Sequence, residues 1–369
     1  MITFEDTTYT IDQILKGEYN NLSNSYKKAF AFCEQWLNGK DSFVLQTSGS
    51  TGKPKKVTVY REQLKESAKA TKAFFGFTKG CKMLCCLDTE KVAGKMMLVR
   101  ALEWESELKV IPADANPLQR IENEHFDFVA LVPLQVEKSL TTNSGTLALS
   151  LIKNIIIGGA PTSSRLRKRL TRLPSRVFQT YGMTETVSHI ALADLKSNGD
   201  LIYKALPKVQ LKVDGSNRLR INAPMTGDVW LQTNDIVKLQ SENSFTWKGR
   251  ADHVVNSGGI KLHPEEIEAE IGDLMQFYFP HKKYFLTGSK DDKLGQALTL
   301  VIEGKKNTEA EKILLQKAKS LLPKFHNPKK ILFFPQFKLT SSGKIDQLRT
   351  LAKYGAFPFR KQYKFDHSS

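Results

Sequence analysis

Met83-Leu84-Cys85-Cys86-Leu87, followed downstream by Leu108-Lys109-Val110-Ile111, Phe128-Val129-Ala130-Leu131-Val132 and Asn154-Ile155-Ile156-Ile157-Gly158, decides the fold class of this chain. Each run has the length of a strand, and most of its side chains are apolar at consecutive positions, so neither face of such a strand suits water. Helical segments separate the runs, and this alternation predicts a parallel α/β sheet. Upstream, residues 26–37 and 62–75 read as helices, the second with Leu64, Ala68, Thr71 and Phe75 on one face. Residues 42–46 and 56–60 read as strands on either side of a loop rich in Gly, Ser and Thr.

After about residue 195 the pattern changes. Short strands with turn signals, at 210–213, 218–221, 228–232, 236–239 and 244–248, predict an antiparallel subdomain. Past Gly249-Arg250 a compact α+β unit begins, with a helix from about Pro264, a strand at 298–303, a helix at 308–322 stopped by Pro323, and a strand at 330–334. The prediction is an α/β chain. A large N-terminal domain, 1–251, has mainly parallel sheet flanked by helices plus a small β-rich subdomain. A small mobile α+β domain, 252–369, follows.

The 369 residues include 55 Lys and Arg against 38 Asp and Glu, a net charge of +17. A nucleic-acid binder would cluster its cations with interleaved aromatics. Here they are spread along the chain, and the two local clusters, Arg165-Leu166-Arg167-Lys168-Arg169 and Arg360-Lys361-Gln362-Tyr363-Lys364, form no such module. A basic surface equally attracts small polyanions. No apolar run approaches the roughly 18 residues of a membrane span. The start, MITFEDTTYT, is too acidic and polar for a secretory signal. A cytoplasmic location is expected, without nucleic acid or membrane insertion, and a homodimer stays open. The four cysteines, Cys33, Cys81, Cys85 and Cys86, have no partner at zinc-like spacing and read as buried reduced thiols.

The chemistry starts at Thr47-Ser48-Gly49-Ser50-Thr51-Gly52-Lys53-Pro54-Lys55. Glycines let a backbone approach phosphate oxygens, hydroxyls and amides donate to them, and lysines neutralise charge. Thr47 and Pro54 stand where a Walker A loop needs Gly and Ser or Thr, so it is not that loop. The segment resembles the phosphate loop of the acyl-CoA synthetase, adenylation-domain and firefly-luciferase superfamily. Further signatures follow in that superfamily's order over roughly residues 42–350: Ile157-Gly158-Gly159-Ala160-Pro161, Gln179-Thr180-Tyr181-Gly182-Met183-Thr184-Glu185-Thr186, Thr233-Asn234-Asp235, Trp247-Lys248-Gly249-Arg250-Ala251-Asp252, the run from Val255 to Glu268, and Leu339-Thr340-Ser341-Ser342-Gly343-Lys344-Ile345.

The resemblance implies an ATP-dependent enzyme that activates a carboxylate as an acyl-AMP and passes the acyl group to coenzyme A. It implies an ATP site from Thr47, Ser48, Gly49, Ser50, Thr51, Gly52, Lys53, Gly159, Ala160, Pro161, Gln179, Tyr181, Gly182 and Met183. Tyr181 would stack on adenine, Thr184 contact the α-phosphate, Glu185 hold Mg²⁺, Asp235 bind the ribose and Arg250 reach ribose or phosphate. Asp252 would be a hinge, Lys344 the catalytic lysine, and Ser257, Gly258, Gly259 and Lys261 the coenzyme A path. Two departures stand out. Asn234 replaces the glycine of the usual Thr-Gly-Asp, and only about 46 residues precede the phosphate loop, where relatives carry a long subdomain.

The acid is narrowed by Val92-Ala93-Gly94-Lys95-Met96-Met97-Leu98-Val99-Arg100-Ala101-Leu102, which resembles a helix bounding the acyl pocket in o-succinylbenzoate–CoA ligases of menaquinone synthesis. Met183 to Ile190 and Phe128 to Gln135 are similar to segments of those enzymes too. That substrate is a dianion, so the carboxylate that is not activated needs a cationic or hydrogen-bonding partner. Arg100, Lys95 and His189 are the candidates, with Gly158 beside the acyl group. Two rivals remain: another aryl- or acyl-CoA synthetase or an adenylation enzyme loading a carrier protein, and an inactive nucleotide- or nucleic-acid-binding relative.

Overall fold

Along the strand Lys82–Cys85, Met83 and Cys85 enter one buried cluster and Leu84 enters another, with Cys86 continuing the alternation. Phe128 and Ala130 divide from Val129 and Leu131 in the strand Phe126–Leu131, and Ile156 divides from Ile155 and Ile157 in Ile152–Ile157. Both faces of these strands are therefore dry, which is why the runs show little polar alternation. The helices Asn24–Leu37, Arg61–Phe75 and Val92–Glu103 pack on the first face. Pro133–Ser139, Asn143–Ser150 and Ser164–Leu170 pack on the second. All four cysteines are buried free thiols, as their apolar surroundings predicted.

This computed structural model describes residues 1–19, 22–47, 55–121, 123–340 and 344–356. Among them thirteen strands form one sheet. Its parallel part runs Ile2–Phe4, Glu107–Val110, Lys82–Cys85, Phe126–Leu131, Ile152–Ile157 and Arg176–Gly182. From Lys82–Cys85 the chain first steps to Glu107–Val110 and then crosses back to Phe126–Leu131 on the other side. That reversal makes a doubly wound sheet, in which ligands bind beyond the carboxyl ends of the strands. The Gly158-Gly159 turn and the Tyr181-Gly182 segment lie at such ends.

The sheet adds strands to those expected and merges two of them. The polar N-terminus supplies the strands Ile2–Phe4 and Thr7–Tyr9. The expected antiparallel part continues the same sheet: Arg176–Gly182 pairs antiparallel with His189–Asp194, which leads through Ile202–Ala205 to Ser244–Arg250. The two strands expected at 228–232 and 236–239 are one, Leu231–Ser241. Thr233-Asn234-Asp235 reads as a turn signal, yet cross-strand neighbours and burial outweigh that propensity. Ser42–Thr47 and Lys55–Tyr60 pair with each other in a separate antiparallel ribbon. The loop residues Ser48, Gly49, Ser50, Thr51, Gly52 and Lys53 lie outside the described residues, as does the basic cluster at 360–364.

The chain divides into two compact units, the second including Asn234–Ile236 and the chain from Lys248 onward. Its sheet runs Ile260–Leu262, Val255–Ser257, Gly295–Glu303 and Tyr284–Asp291, with Lys330–Phe334 parallel to Gly295–Glu303. Pro264–Glu270, Gly272–Tyr278 and Thr308–Leu321 pack on one face and Gln347–Lys353 on the other. Among the described residues no helix is long and apolar enough to cross a membrane.

Candidate active site

In the first unit, the Ile157-Gly158-Gly159-Ala160-Pro161 turn is braced from the next strand by Gln179. Its Nε2 donates to Ile157 O at 3.1 Å and Ala160 O at 3.2 Å, and its Oε1 accepts from Thr162 N at 3.0 Å and Thr162 Oγ1 at 2.6 Å. Gln179 is buried and its amide is fully used by the turn. It therefore shapes the turn from within. Two residues on, the ring of Tyr181 meets Phe245 edge-on at 5.0 Å and Tyr203 at 5.8 Å, while those two rings stack on each other. These aromatics set the plane of the tyrosine ring.

Beyond Tyr181 the chain turns sharply. Thr184–Thr186 is one turn of 3₁₀ helix, followed by Val187 at φ 64° and ψ −48°. Ser188 N donates to Thr186 O at 2.6 Å across it. A buried β-branched residue in this conformation stores on the order of 1–3 kcal/mol. Thr186 helps hold it, with Oγ1 accepting from Met183 N at 3.0 Å and donating to Ser188 O at 2.7 Å. Gly182 makes room, because a Cβ there would stand 2.3 Å from Ser188 O. The turn leaves Glu185 exposed and Thr184 half-buried, and sends Ser188 and His189 inward.

There they meet Arg100, which lies on Val92–Glu103 with 1% exposure. Arg100 NH2 donates to Ser188 Oγ at 3.2 Å and faces His189 Nδ1 at 3.5 Å, and its guanidinium lies 5.8 Å from the Phe128 ring centre. Nε has no hydrogen-bond partner, and among the described residues no carboxylate pairs with this cation. Burial pushes the Arg100 pKa down to about 9, the thiol of Cys85 opposing slightly. Burial, then the charge of Arg100, hold His189 well below its usual value, so it is neutral. Lys95 is elsewhere: its Nζ lies over the Phe32 ring at 5.8 Å, and desolvation lowers its pKa. The structure thus joins Arg100 to His189 and leaves Lys95 out. Gly158 abuts Thr180, whose Oγ1 would lie 2.6 Å from an added Cβ.

The second unit assembles another group. Arg250 reaches Asp252 with a fork, Nε to Oδ1 at 3.0 Å and NH2 to Oδ2 at 3.4 Å, and its NH1 lies 3.8 Å from Asp235 Oδ1. Partial burial favours the neutral form of Asp252, but the bond to Arg250 and its charge outweigh this and lower the pKa. Lys344 follows the Thr340 corner, where Thr340 N donates to Lys344 O at 2.8 Å and Leu339 bridges Ile345. Its ammonium is held below the usual lysine range by desolvation first and by the like charge of Arg250 second, with Asp235 opposing. Ser257 and Ile260 flank a two-residue hairpin turn in which Gly258 and Gly259 have φ of 60° and 86°, and Lys261 pairs with Asn256 one step along the ladder. Positive φ at both central positions defines this turn and explains the glycine pair.

Residues 6–238 match the family described as AMP-binding enzyme. The chain belongs to the AMP-binding enzymes. It is 25% identical over 351 residues to a 2-succinylbenzoate–CoA ligase of Listeria monocytogenes, covering 89% of this chain and 73% of that protein. A crystal structure of an AMP-forming acyl-CoA synthetase/AMP-acid ligase II-like protein from Dyadobacter fermentans matches with a TM-score of 0.63 and 38% identity, over 92% of this chain and 97% of that one. The o-succinylbenzoate CoA synthetase of Bacillus subtilis, in complex with its acyl-adenylate intermediate, shares the fold: TM-score 0.70, 21% identity, 82% of this chain and 67% of that one. This AMP-binding enzyme is an adenylate-forming acid–CoA ligase that uses ATP.

Among the described residues of the ligase, no three His, Cys, Asp or Glu side chains converge as a metal site. A hard divalent cation at Glu185 fits this arrangement, since magnesium is commonly held by one carboxylate and the nucleotide's own phosphates. Sequence reasoning missed Thr71, whose Oγ1 lies 3.2 Å from His189 Nε2. The signal was present: a hydroxyl in the apolar stripe of the helix Arg61–Phe75.

Proposed function

We propose that this ligase converts o-succinylbenzoate to o-succinylbenzoyl-CoA in menaquinone synthesis, in the cytoplasm. The observation that carries the reading is Arg100, a buried guanidinium with no counter-carboxylate among the described residues. A buried cation without a partner is expensive, and a substrate carboxylate entering its pocket would offset that cost. The names of the curated relatives supply the acid that fits, a dianion with one carboxylate to activate and one to anchor.

In this reading the substrate carboxylate attacks the α-phosphorus of ATP and pyrophosphate leaves. Lys344 bridges the two reacting groups, and Thr184 and Arg250 contact the phosphate and ribose side, with Asp235 on the ribose hydroxyls. Positioning and charge stabilisation supply most of the catalysis in such transfers. Mg²⁺ at Glu185 would neutralise phosphate charge. The domain 252–369 then turns on Asp252, withdrawing Lys344 and presenting Ser257–Lys261 to the adenylate for attack by coenzyme A.

The test is pyrophosphate release with a panel of aryl mono- and dicarboxylic acids, followed by trapping with coenzyme A. Release and thioester formation selective for o-succinylbenzoate support the reading. Equal turnover of monocarboxylates removes the substrate assignment, and release without thioester formation points to a carrier-protein acceptor.

A further inference from the structure

The ring of His189 has both nitrogens engaged. On one side, Nε2 lies 3.2 Å from Thr71 Oγ1, and that hydroxyl donates its single proton to Ser67 O at 3.0 Å. A hydroxyl that has spent its proton can only accept, so the ring proton sits on Nε2. On the other side, Nδ1 faces Arg100 NH2 at 3.5 Å, and a guanidinium donates but never accepts. Ser188 Oγ takes a bond from the same NH2 at 3.2 Å and lies 3.5 Å from Nδ1, to which its own proton can turn. Both ends of the ring independently give one tautomer.

We infer that Thr71 and His189 are positioning residues for the acid: Thr71 locks the neutral Nε2–H form of His189, whose Nδ1 lone pair orients Arg100 without consuming its charge. An Asp or Glu at 189 would hold the arginine as firmly and neutralise it. An imidazolium, or the opposite tautomer, would present a proton to NH2 and push it away. Only the neutral ring with a bare Nδ1 fixes the guanidinium and keeps its charge for a substrate anion. His189 is thereby assigned to Arg100 and not to the substrate carboxylate itself. The assignment deepens the proposed function and rests on its reading that Arg100 receives the second carboxylate.

Two measurements test it. The first is a long-range ¹H–¹⁵N spectrum of the full chain labelled at histidine, free and at neutral pH, with His189→Gln identifying the signal. A neutral Nε2–H pattern is expected, and an Nδ1–H or doubly protonated ring overturns the inference. The second compares Thr71→Val and Thr71→Ser with the native enzyme. Thr71→Val should raise KM for o-succinylbenzoate about 10-fold, the scale of one hydrogen bond to a charged assembly, with kcat little changed. It should leave KM for an analogue lacking the ring carboxylate unmoved, and Thr71→Ser should restore native behaviour. A KM rise of equal size for both acids means Thr71 merely supports the fold and overturns the role. The substrate reading fails separately, if Arg100→Ala affects both acids alike. The spectrum is read from the native enzyme without any activity, the variant serving only to assign the signal.

Discussion

Two arginines of this ligase live under opposite rules. Arg250, in the second unit, spends its fork on Asp252 and reaches Asp235, and it stays partly in water. Arg100, in the first unit, is sealed in the core beside a neutral imidazole, a hydroxyl and a benzene ring. The Arg250 pairs are solvated and individually weak, suited to being broken and remade. Burying Arg100 in that company is unfavourable unless something anionic arrives. The contrast teaches that the same side chain can be satisfied by carboxylates near water or held in the core by neutral groups alone, and that only the second leaves its charge uncompensated.

The largest effect should come from Lys344, next to the paired cluster. Lys344→Ala should abolish acyl-AMP formation, a loss on the order of 10³-fold if it supplies the transition-state contact, while sparing thioester formation from supplied acyl-AMP. Measuring the half-reactions separately checks this, and equal losses would make the residue structural. Next comes Arg100→Ala, expected to cost on the order of 2–5 kcal/mol in kcat/KM for o-succinylbenzoate. The analogue without the ring carboxylate should lose little. The two substrates and two enzymes form a cycle whose coupling energy reads the contact directly, and a coupling near zero would end the contrast drawn between the arginines.

Asp252→Pro should act on the opposite side of the comparison. Proline fixes φ at the hinge and also deprives Arg250 of its forked partner. Acyl-AMP should still form and accumulate, with thioester formation slowed about tenfold or more if the turn gates that step. Normal rates in both steps would remove Asp252 as the pivot. The smallest effect concerns stability. Burial raises the Glu268 carboxyl to about 8, against the backbone bond from Leu286, which favours its charged form. The folded state therefore holds a proton that the unfolded state has released, and stability should fall as pH rises from about 4.5 towards 8. Thermal melting of Glu268→Gln should show a flatter profile across that window, and parallel curves for the two proteins would disprove it.

The apolar runs at 83–87, 108–111, 128–132 and 154–158 were legible because burial on both faces of a strand leaves its mark on consecutive residues. Strands of the antiparallel part were harder to read. His189–Asp194 is buried at five consecutive positions, but its small alanines and short length give it no clear boundary in the sequence. Ile202–Ala205 and Tyr284–Asp291 mix polar with apolar positions, so their pairing partners decided them. The family was legible too, since its motifs are short segments of neighbouring residues in a fixed order. The sequence by itself determined the parallel α/β class and the family, and it nominated Glu185, Asp235, Arg250 and Lys344. Tertiary structure alone decided that Gln179 braces a turn, that Lys95 stands apart from Arg100, and that Thr71, 118 positions before His189, sets its tautomer. The physical reason is range: a motif records chemistry between neighbours in the chain, whereas burial, protonation and charge pairing depend on groups that only folding brings together.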